Sequence, residues 1–214
     1  HKDPVAPPGR PIISAIGSLL ENTSRYIYFF LRPFVVFLPS YIKDTRDFLR
    51  LINGLHWEGD SLMTLDVTSL YTCIGHECGI QACKFFLKTK PIGTLKHTEM
   101  LLYMLRFCLE HNFFTFNEKY YRQTQGAAMG SCFAPSYANL FVGWWEKRVA
   151  GNIKGFDDHV VLWVRYLDDL FVIWKGSTES ADEFLAKLNV NQVNLHFTSK
   201  ISNQKVDFLD TAVR

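Results

Sequence analysis

Asp168 and Asp169 stand where packing gives no reason for them. Apolar, strongly β-prone runs lie on both sides, Val160 to Tyr166 and Leu170 to Trp174, and this spacing predicts a tight hairpin with the aspartates at its turn. Turns of that kind favour Asn-Gly or Asp-Gly, because one or both residues take positive φ. Adjacent aspartates forgo that advantage and set two like charges side by side. A broken local rule inside a well-formed element is the mark of a functional site, and a divalent cation relieves the repulsion. The plainer reading is a solvated turn, since Asp is common in turns.

Asp66 is set in the same way, at the end of the apolar run Ser61 to Val67. By itself it reads equally as a strand-terminating residue. If that strand lies beside the Asp168 hairpin, three carboxylates converge at one sheet edge. Hard oxygen donors of this kind suit Mg²⁺, which keeps waters and takes substrate phosphates as further ligands. Two such ions about 4 Å apart support in-line phosphoryl displacement. A third stretch, Gln125-Gly126-Ala127-Ala128-Met129-Gly130-Ser131, is built of small residues that let a backbone approach a ligand closely. It lacks the Gly-Lys-Ser/Thr ending of a phosphate-binding P-loop, and a tight packing turn is its alternative.

The elements that must position these residues follow from periodicity and breakers. The first twenty residues are rich in Pro and Gly and should run extended or in turns. Asn22-Thr23-Ser24 is a potential cap for an apolar stretch that Pro33 should end. Helices are predicted over 44–55, 76–88, 94–111, 133–148 and 180–188. Leu101, Leu105, Cys108 and Leu109 make the helix at 94–111 the clearest of them. Phe113 to Phe116 and Lys119 to Gln123 read as a hairpin around Asn117-Glu118. Two short strands are expected to close the chain. The class is α+β, an antiparallel sheet backed by helices.

Composition narrows the setting. With 214 residues, 48% hydrophobic and 21% charged, the chain is an ordinary globular sequence able to bury a core. A net charge of +2 does not by itself announce a nucleic-acid partner. Residues 81–130 nevertheless carry seven Lys and Arg against three Glu, which suits phosphate contacts or a solvated helix face. Five cysteines are an odd number, so reduced thiols in an intracellular setting are expected. Cys73, His76, Cys78 and Cys83 fit no standard zinc spacing. The longest apolar stretch, 27–38, is interrupted by Arg32 and Pro33, so no membrane partner is expected. The start at His1 reads as an excerpt of a longer polypeptide.

Taken in order, Leu65-Asp66-Val67-Thr68-Ser69-Leu70-Tyr71, then Gln125-Gly126 with Met129-Gly130-Ser131 and Pro135, then Tyr166-Leu167-Asp168-Asp169, the chain resembles a reverse transcriptase palm with partial fingers. Pro8-Gly9-Arg10-Pro11-Ile12, Ser69-Leu70-Tyr71-Thr72 and Tyr137-Ala138-Asn139 are more narrowly similar to Penelope-like retroelements. The resemblance implies an RNA-directed DNA polymerase of a retrotransposable element. Asp66 and Asp168 would hold two Mg²⁺ ions, with Mn²⁺ as a substitute, helped by the Val67 carbonyl and supported by Asp169. Tyr71 would stack under the incoming sugar and exclude a 2′-hydroxyl, while Gln125 and Gly126 would contact nucleotide and template. Arg10 would meet the triphosphate, Lys200 or Lys205 the leaving pyrophosphate. The Phe208-Leu209 region would grip the primer, and Tyr121 and Arg122 are candidates for template contact by stacking and charge.

The partition this implies is a fingers-like segment at 1–60, a palm strand with the first Asp at 61–75, fingers and palm helices with the hairpin at 76–125, and palm with a primer-grip-like end at 126–214. RNA template, DNA primer and deoxynucleoside triphosphates are the implied partners, with nuclear location by analogy. A thumb and, in many Penelope-like elements, a GIY-YIG endonuclease would lie in the rest of the polyprotein. Cys73-Ile74-Gly75-His76 departs from the family's common Asn-Ile-Pro-His. Two rivals remain: a non-catalytic nucleic-acid-binding remnant, and a viral-type RNA-dependent RNA polymerase, which usually has an Asp near position 71.

Overall fold

The structure is a computed structural model that describes residues 12–56, 61–89, 95–153 and 155–214. The Pro-Gly-Arg-Pro stretch, and with it Arg10, lies outside the described residues.

In chain order the elements are α1 (Glu21–Val35), α2 (Thr45–Ile52), β1 (Ser61–Val67), α3 (Leu70–Cys73), α4 (His76–Thr89), α5 (Leu95–Glu110), β2 (Phe113–Phe116) and β3 (Lys119–Arg122). Then come α6 (Ala134–Arg148), a 3-10 turn (Ala150–Asn152), α7 (Phe156–His159), β4 (Val160–Tyr166), β5 (Asp169–Trp174), α8 (Thr178–Asn189), β6 (Phe197–Ser202), β7 (Val206–Phe208) and β8 (Thr211–Val213). The expected α+β class holds, with three closing strands in place of two.

Strands β4, β5, β1 and β6 form the central sheet in that order, each pair antiparallel. Because side chains alternate across a strand, the sheet has two different faces. Met63, Leu65, Val67, Leu170, Val172 and Trp174 point into the main core, against the helical layer. Helix α6 is the centre of that layer, burying Tyr137, Leu140, Phe141, Val142 and Trp145, and Trp145 packs on Phe197 of β6 at 5.0 Å. Gly79 on α4 lets that helix meet α6 closely, since a Cβ there would overlap the Tyr137 ring.

The opposite face carries Leu62, Phe171, Ile173 and Val164, covered by α2 and the β7–β8 hairpin. Phe48 of α2, fully buried, stacks edge-on against Phe171 at 4.9 Å and Phe208 at 4.7 Å. Truncating such a ring costs about 3–5 kcal/mol, so α2 is held to the sheet chiefly through one side chain. Asp44 caps it, accepting from the Asp47 amide at 2.9 Å.

Helix α1 departs from expectation at both ends. It begins at Glu21, whose carboxylate accepts from the Gly17 amide at 2.6 Å, rather than at Asn22-Thr23-Ser24. It also runs through Pro33, because Phe34 and Val35 are buried and hold the last turn on the core. Tertiary burial here outweighs a missing backbone donor.

Candidate active site

Register places the acids. Asp66 of β1 pairs directly with Asp169 of β5, and Asp66 pairs on its other side with Thr198 of β6. Tyr166 of β4 also pairs with Asp169. Cross-strand partners project from the same face of a sheet, so Tyr166, Asp169, Asp66 and Thr198 form one row. It lies on the face opposite the α6 layer, at the end that α2 and the β7–β8 hairpin leave uncovered.

The hairpin turn differs from the expectation. Its two loop residues are Leu167 and Asp168, and Asp169 is already the first residue of β5. Leu167 takes φ of 59°, the left-handed conformation that costs a non-glycine residue roughly 1–2 kcal/mol. The shift has a chemical consequence: the two aspartates are separated, one at the turn and one in the row with Asp66. The Val67 amide donates to the Asp168 carbonyl at 3.0 Å, locking the turn beside the end of β1.

Asp169 senses its surroundings. Partial burial, then the charges of Asp168 and Asp66, raise the Asp169 carboxyl to about 6. Burial first, then Asp168 and Tyr166, push the Tyr71 hydroxyl up to about 12, in keeping with a place for Tyr71 near Asp168. Among the described residues no three His, Cys, Asp or Glu side chains already form a metal-binding cluster. The donor set nevertheless fits a hard divalent cation, which would be held by mutually repelling carboxylate oxygens and would keep open positions for water and phosphate.

The small-residue loop is strapped onto the segment carrying Tyr71. Ser69, at φ of 54°, turns the chain into α3. The Ala127 amide donates to the Tyr71 carbonyl at 2.8 Å and the Gly126 amide to that of Ile74 at 3.1 Å. The Gln125 side-chain amide donates to the Cys73 carbonyl at 3.0 Å, and His76 Nε2 donates to the Gly126 carbonyl at 3.0 Å. Gly126 has φ of 74°, and a Cβ there would overlap the Tyr71 carbonyl oxygen. The structure therefore brings together Asp66, Asp168, Asp169, Tyr71, Gln125 and Gly126, with Val67 next to Asp66.

The remaining candidates fall elsewhere. Lys200 of β6 pairs with Thr64, two residues along β1 from Asp66, and so shares the acidic face. Lys205 follows the opposite end of β6 and pairs with Asp207 at 3.4 Å. Phe208 is a core side chain, buried against Phe48 and Phe171, because it faces the sheet from β7. Leu209, at φ of 49°, opens the β7–β8 turn. Tyr121 and Arg122 lie on the separate β2–β3 hairpin, where Tyr121 is 42% exposed and stacks on Phe114 at 5.5 Å. Arg122 lines a small cleft with His76, Glu110 and His111. The five cysteines are free thiols, and burial pushes Cys73 up to about 11.

Two features escaped the sequence reading. His76 buttresses the Gly126 loop, a role no spacing announces. Arg165 is fully buried in β4 and bonds Asn139, Glu146 and the Leu167 carbonyl. A lone arginine inside an apolar strand was the available signal.

Residues 10–214 match a family model described as "Reverse transcriptase (RNA-dependent DNA polymerase)". No curated protein matches in sequence. Among solved structures, the chain is similar to apo telomerase from Candida tropicalis truncated from the C-terminal domain, with 10% identity, TM-score 0.68, and coverage of 89% of this chain and 44% of that one. It is similar to telomerase from Candida albicans with a TWJ fragment of telomeric RNA, with 9% identity, TM-score 0.70, and coverage of 91% and 38%. It is also similar to the BmCPV RNA-dependent RNA polymerase at quiescent state, with 10% identity, TM-score 0.62, and coverage of 89% and 19%. These likenesses show a shared fold, and the chain spans less than half the length of each.

Proposed function

The chain belongs to the reverse transcriptase (RNA-dependent DNA polymerase) family, and from that premise we propose that it extends a DNA primer on an RNA template at the Asp66–Asp168–Asp169 face. The observation that carries this reading is the register of Asp66 with Asp169, with Asp168 in the adjoining turn and Tyr71 beside it. Asp66, Asp168 and the Val67 carbonyl would hold two Mg²⁺ ions, which when bound activate the primer hydroxyl and stabilise the leaving pyrophosphate.

The chain's own residues do the rest. Asp169 supplies supporting negative charge behind the pair. Tyr71 forms a flat wall for the deoxyribose and leaves no room for a 2′-hydroxyl. Gln125 and Gly126 present backbone to the incoming nucleotide and template, in a position held by Tyr71, Ile74 and His76. Lys200 on the acidic face is the better placed of the two lysines to meet departing phosphate, and Arg10 would meet the triphosphate through its planar fork. Tyr121 and Arg122 would contact template, and the Leu209 turn with the Phe208 backbone the primer.

The element context we propose is a Penelope-like retrotransposon acting in the nucleus. Its fingers-like segment would be 1–60, its first palm strand 61–75, its fingers and palm helices 76–125 and the remaining palm 126–214. The rest of such a polyprotein would supply a thumb. A viral-type RNA polymerase is disfavoured by Tyr71, which stands where those enzymes usually carry an Asp.

The test is primer extension on poly(rA)/oligo(dT) with Mg²⁺, offering dTTP and UTP in parallel. It is run on the 214-residue chain and on the longest product of its own reading frame. Extension with dTTP, lost in Asp168→Asn, supports the reading. Extension with UTP alone would make it an RNA polymerase. No extension by a folded protein that still binds primer–template would make it a binding remnant.

A further inference from the structure

The buried network behind the catalytic turn goes beyond the metal-facing side of the sheet. Arg165 and Leu167 lie two residues apart, and their side-chain and backbone groups point away from the acidic row. The Arg165 guanidinium has no exposed surface. Its Nε donates to Glu146 Oε1 at 2.9 Å, Nη1 to Asn139 Oδ1 at 2.7 Å and to the Leu167 carbonyl at 3.0 Å, and Nη2 to the Asn139 carbonyl at 3.2 Å. Glu146 is completed by Ser40 Oγ at 2.6 Å and Trp163 Nε1 at 3.0 Å. Asn139 is oriented by its own bond to the Pro135 carbonyl at 3.0 Å. Seven residues separate Asn139 from Glu146 on α6, two helical turns, so both face β4.

A buried ion pair of this kind is poor value as a source of stability, because desolvation consumes most of its attraction and a packed apolar cluster does as well. Its geometry has another use. One arm of the planar fork ends on the carbonyl of Leu167, the residue forced to positive φ, immediately before Asp168. The backbone of Arg165 is itself pinned, donating to the Ser40 carbonyl at 2.6 Å and accepting from the Ile42 amide at 3.0 Å.

We infer that Arg165, clasped by Asn139 and Glu146, is a positioning residue that holds the strained Leu167–Asp168 turn so that Asp168 stays at the end of β1, next to the Asp66–Asp169 pair. Lysine in its place keeps the charge but has no fork to reach Glu146, Asn139 and Leu167 together. The inference rests on the proposed metal-dependent reaction, so its test includes a readout that does not need turnover.

The experiment compares wild type with Arg165→Lys, Asn139→Ala, and Arg165→Lys combined with Leu167→Gly. It measures kcat and KM for dTTP, primer–template affinity, melting, and Mn²⁺ binding by electron paramagnetic resonance. In folded Arg165→Lys, kcat and Mn²⁺ affinity should each fall about 10–100-fold, the usual loss when an outer support of a metal site is removed. KM and primer–template affinity should hardly move. Leu167→Gly should restore part of the loss, since glycine adopts positive φ without steric cost, whereas a merely structural Arg165 would show no such rescue. If Arg165→Lys does not fold, Asn139→Ala decides, because it removes one acceptor and leaves the Glu146 pair. Wild-type kcat and Mn²⁺ affinity in the folded variant overturn the inference while leaving the polymerase reading intact. If wild type binds Mn²⁺ but adds no nucleotide, the polymerase reading fails and the Mn²⁺ series still decides the role of Arg165. Wild type that binds no Mn²⁺ overturns both.

Discussion

Asp66 and Asp169 are direct partners across the β1–β5 ladder, so two carboxylates from residues far apart in the chain leave the same face of the sheet side by side. Asp168 adjoins them from the β4–β5 turn, and the Val67 amide ties its carbonyl to the end of β1. Partial burial first, and then the charges of Asp168 and Asp66, raise the Asp169 carboxyl.

Asp168→Asn keeps the volume of the side chain and removes its charge. Loss of outer supports in metal sites costs about 10–100-fold, and loss of a direct donor should exceed that. Nucleotide addition should fall by more than about 100-fold, with melting temperature and primer–template binding close to wild type. Single-turnover extension rates check this, and wild-type rates would remove Asp168 from the mechanism.

Tyr71→Ala should admit ribonucleotides. The ring is partly buried next to Asp168, held in place by the Ala127 amide on its carbonyl. Shape discrimination by a packed wall is worth about 10–200-fold, so the preference for dTTP over UTP should drop roughly tenfold or more. Unchanged sugar discrimination in a folded variant would mean that Tyr71 is not the wall.

Gly126→Ala adds a Cβ at positive φ, against the Tyr71 carbonyl oxygen. The strain is roughly 1–2 kcal/mol before any overlap, and relief requires the loop to leave Tyr71. The expected result is a KM for dNTP raised about tenfold or more, with the global fold retained by circular dichroism. An unaltered KM would separate this loop from nucleotide binding.

The Asp169 carboxyl gives a pH signature. Its value in the folded chain is raised to about 6 from an ordinary 3.8, so between those values the folded state holds a proton that the unfolded chain has released. Stability without divalent cations should therefore fall as pH rises through that window. Asp169→Asn should remove this slope and be the more stable protein at pH 7 in EDTA. Denaturant titrations at pH 4 and 7 test it, and equal slopes in the two proteins would contradict it.

Gly79→Ala tests the helical layer rather than the site. The added methyl meets the Tyr137 ring where α4 crosses α6, and overpacking of a filled core costs about 1–3 kcal/mol. Equilibrium unfolding should show a loss of that size, and a neutral effect would mean that the two helices can separate at little cost.

Much of this was legible from residue types. The strand at 61–67 and the hairpin of Asn117-Glu118 follow from local signals: an apolar run ending at Asp66 in one case, two strand-like runs joined by two polar residues in the other. The order of Asp66, Gln125-Gly126 and Tyr166-Leu167-Asp168-Asp169 also named the candidate donors, because oxygen ligands and small-residue loops are properties of side-chain chemistry. Local chemistry could not decide which two residues make the turn. That depends on the β4–β5 register, set by packing Leu170 and Val172 on one face and Phe171 and Ile173 on the other, and a one-residue slip would reverse both. Nor could it show that Pro33 lies inside a helix, that Phe208 is core rather than surface, or that Arg165 reaches the Leu167 carbonyl. Each of those is a contact between segments distant in the chain or a balance won by burial, and only the folded arrangement brings such groups within reach.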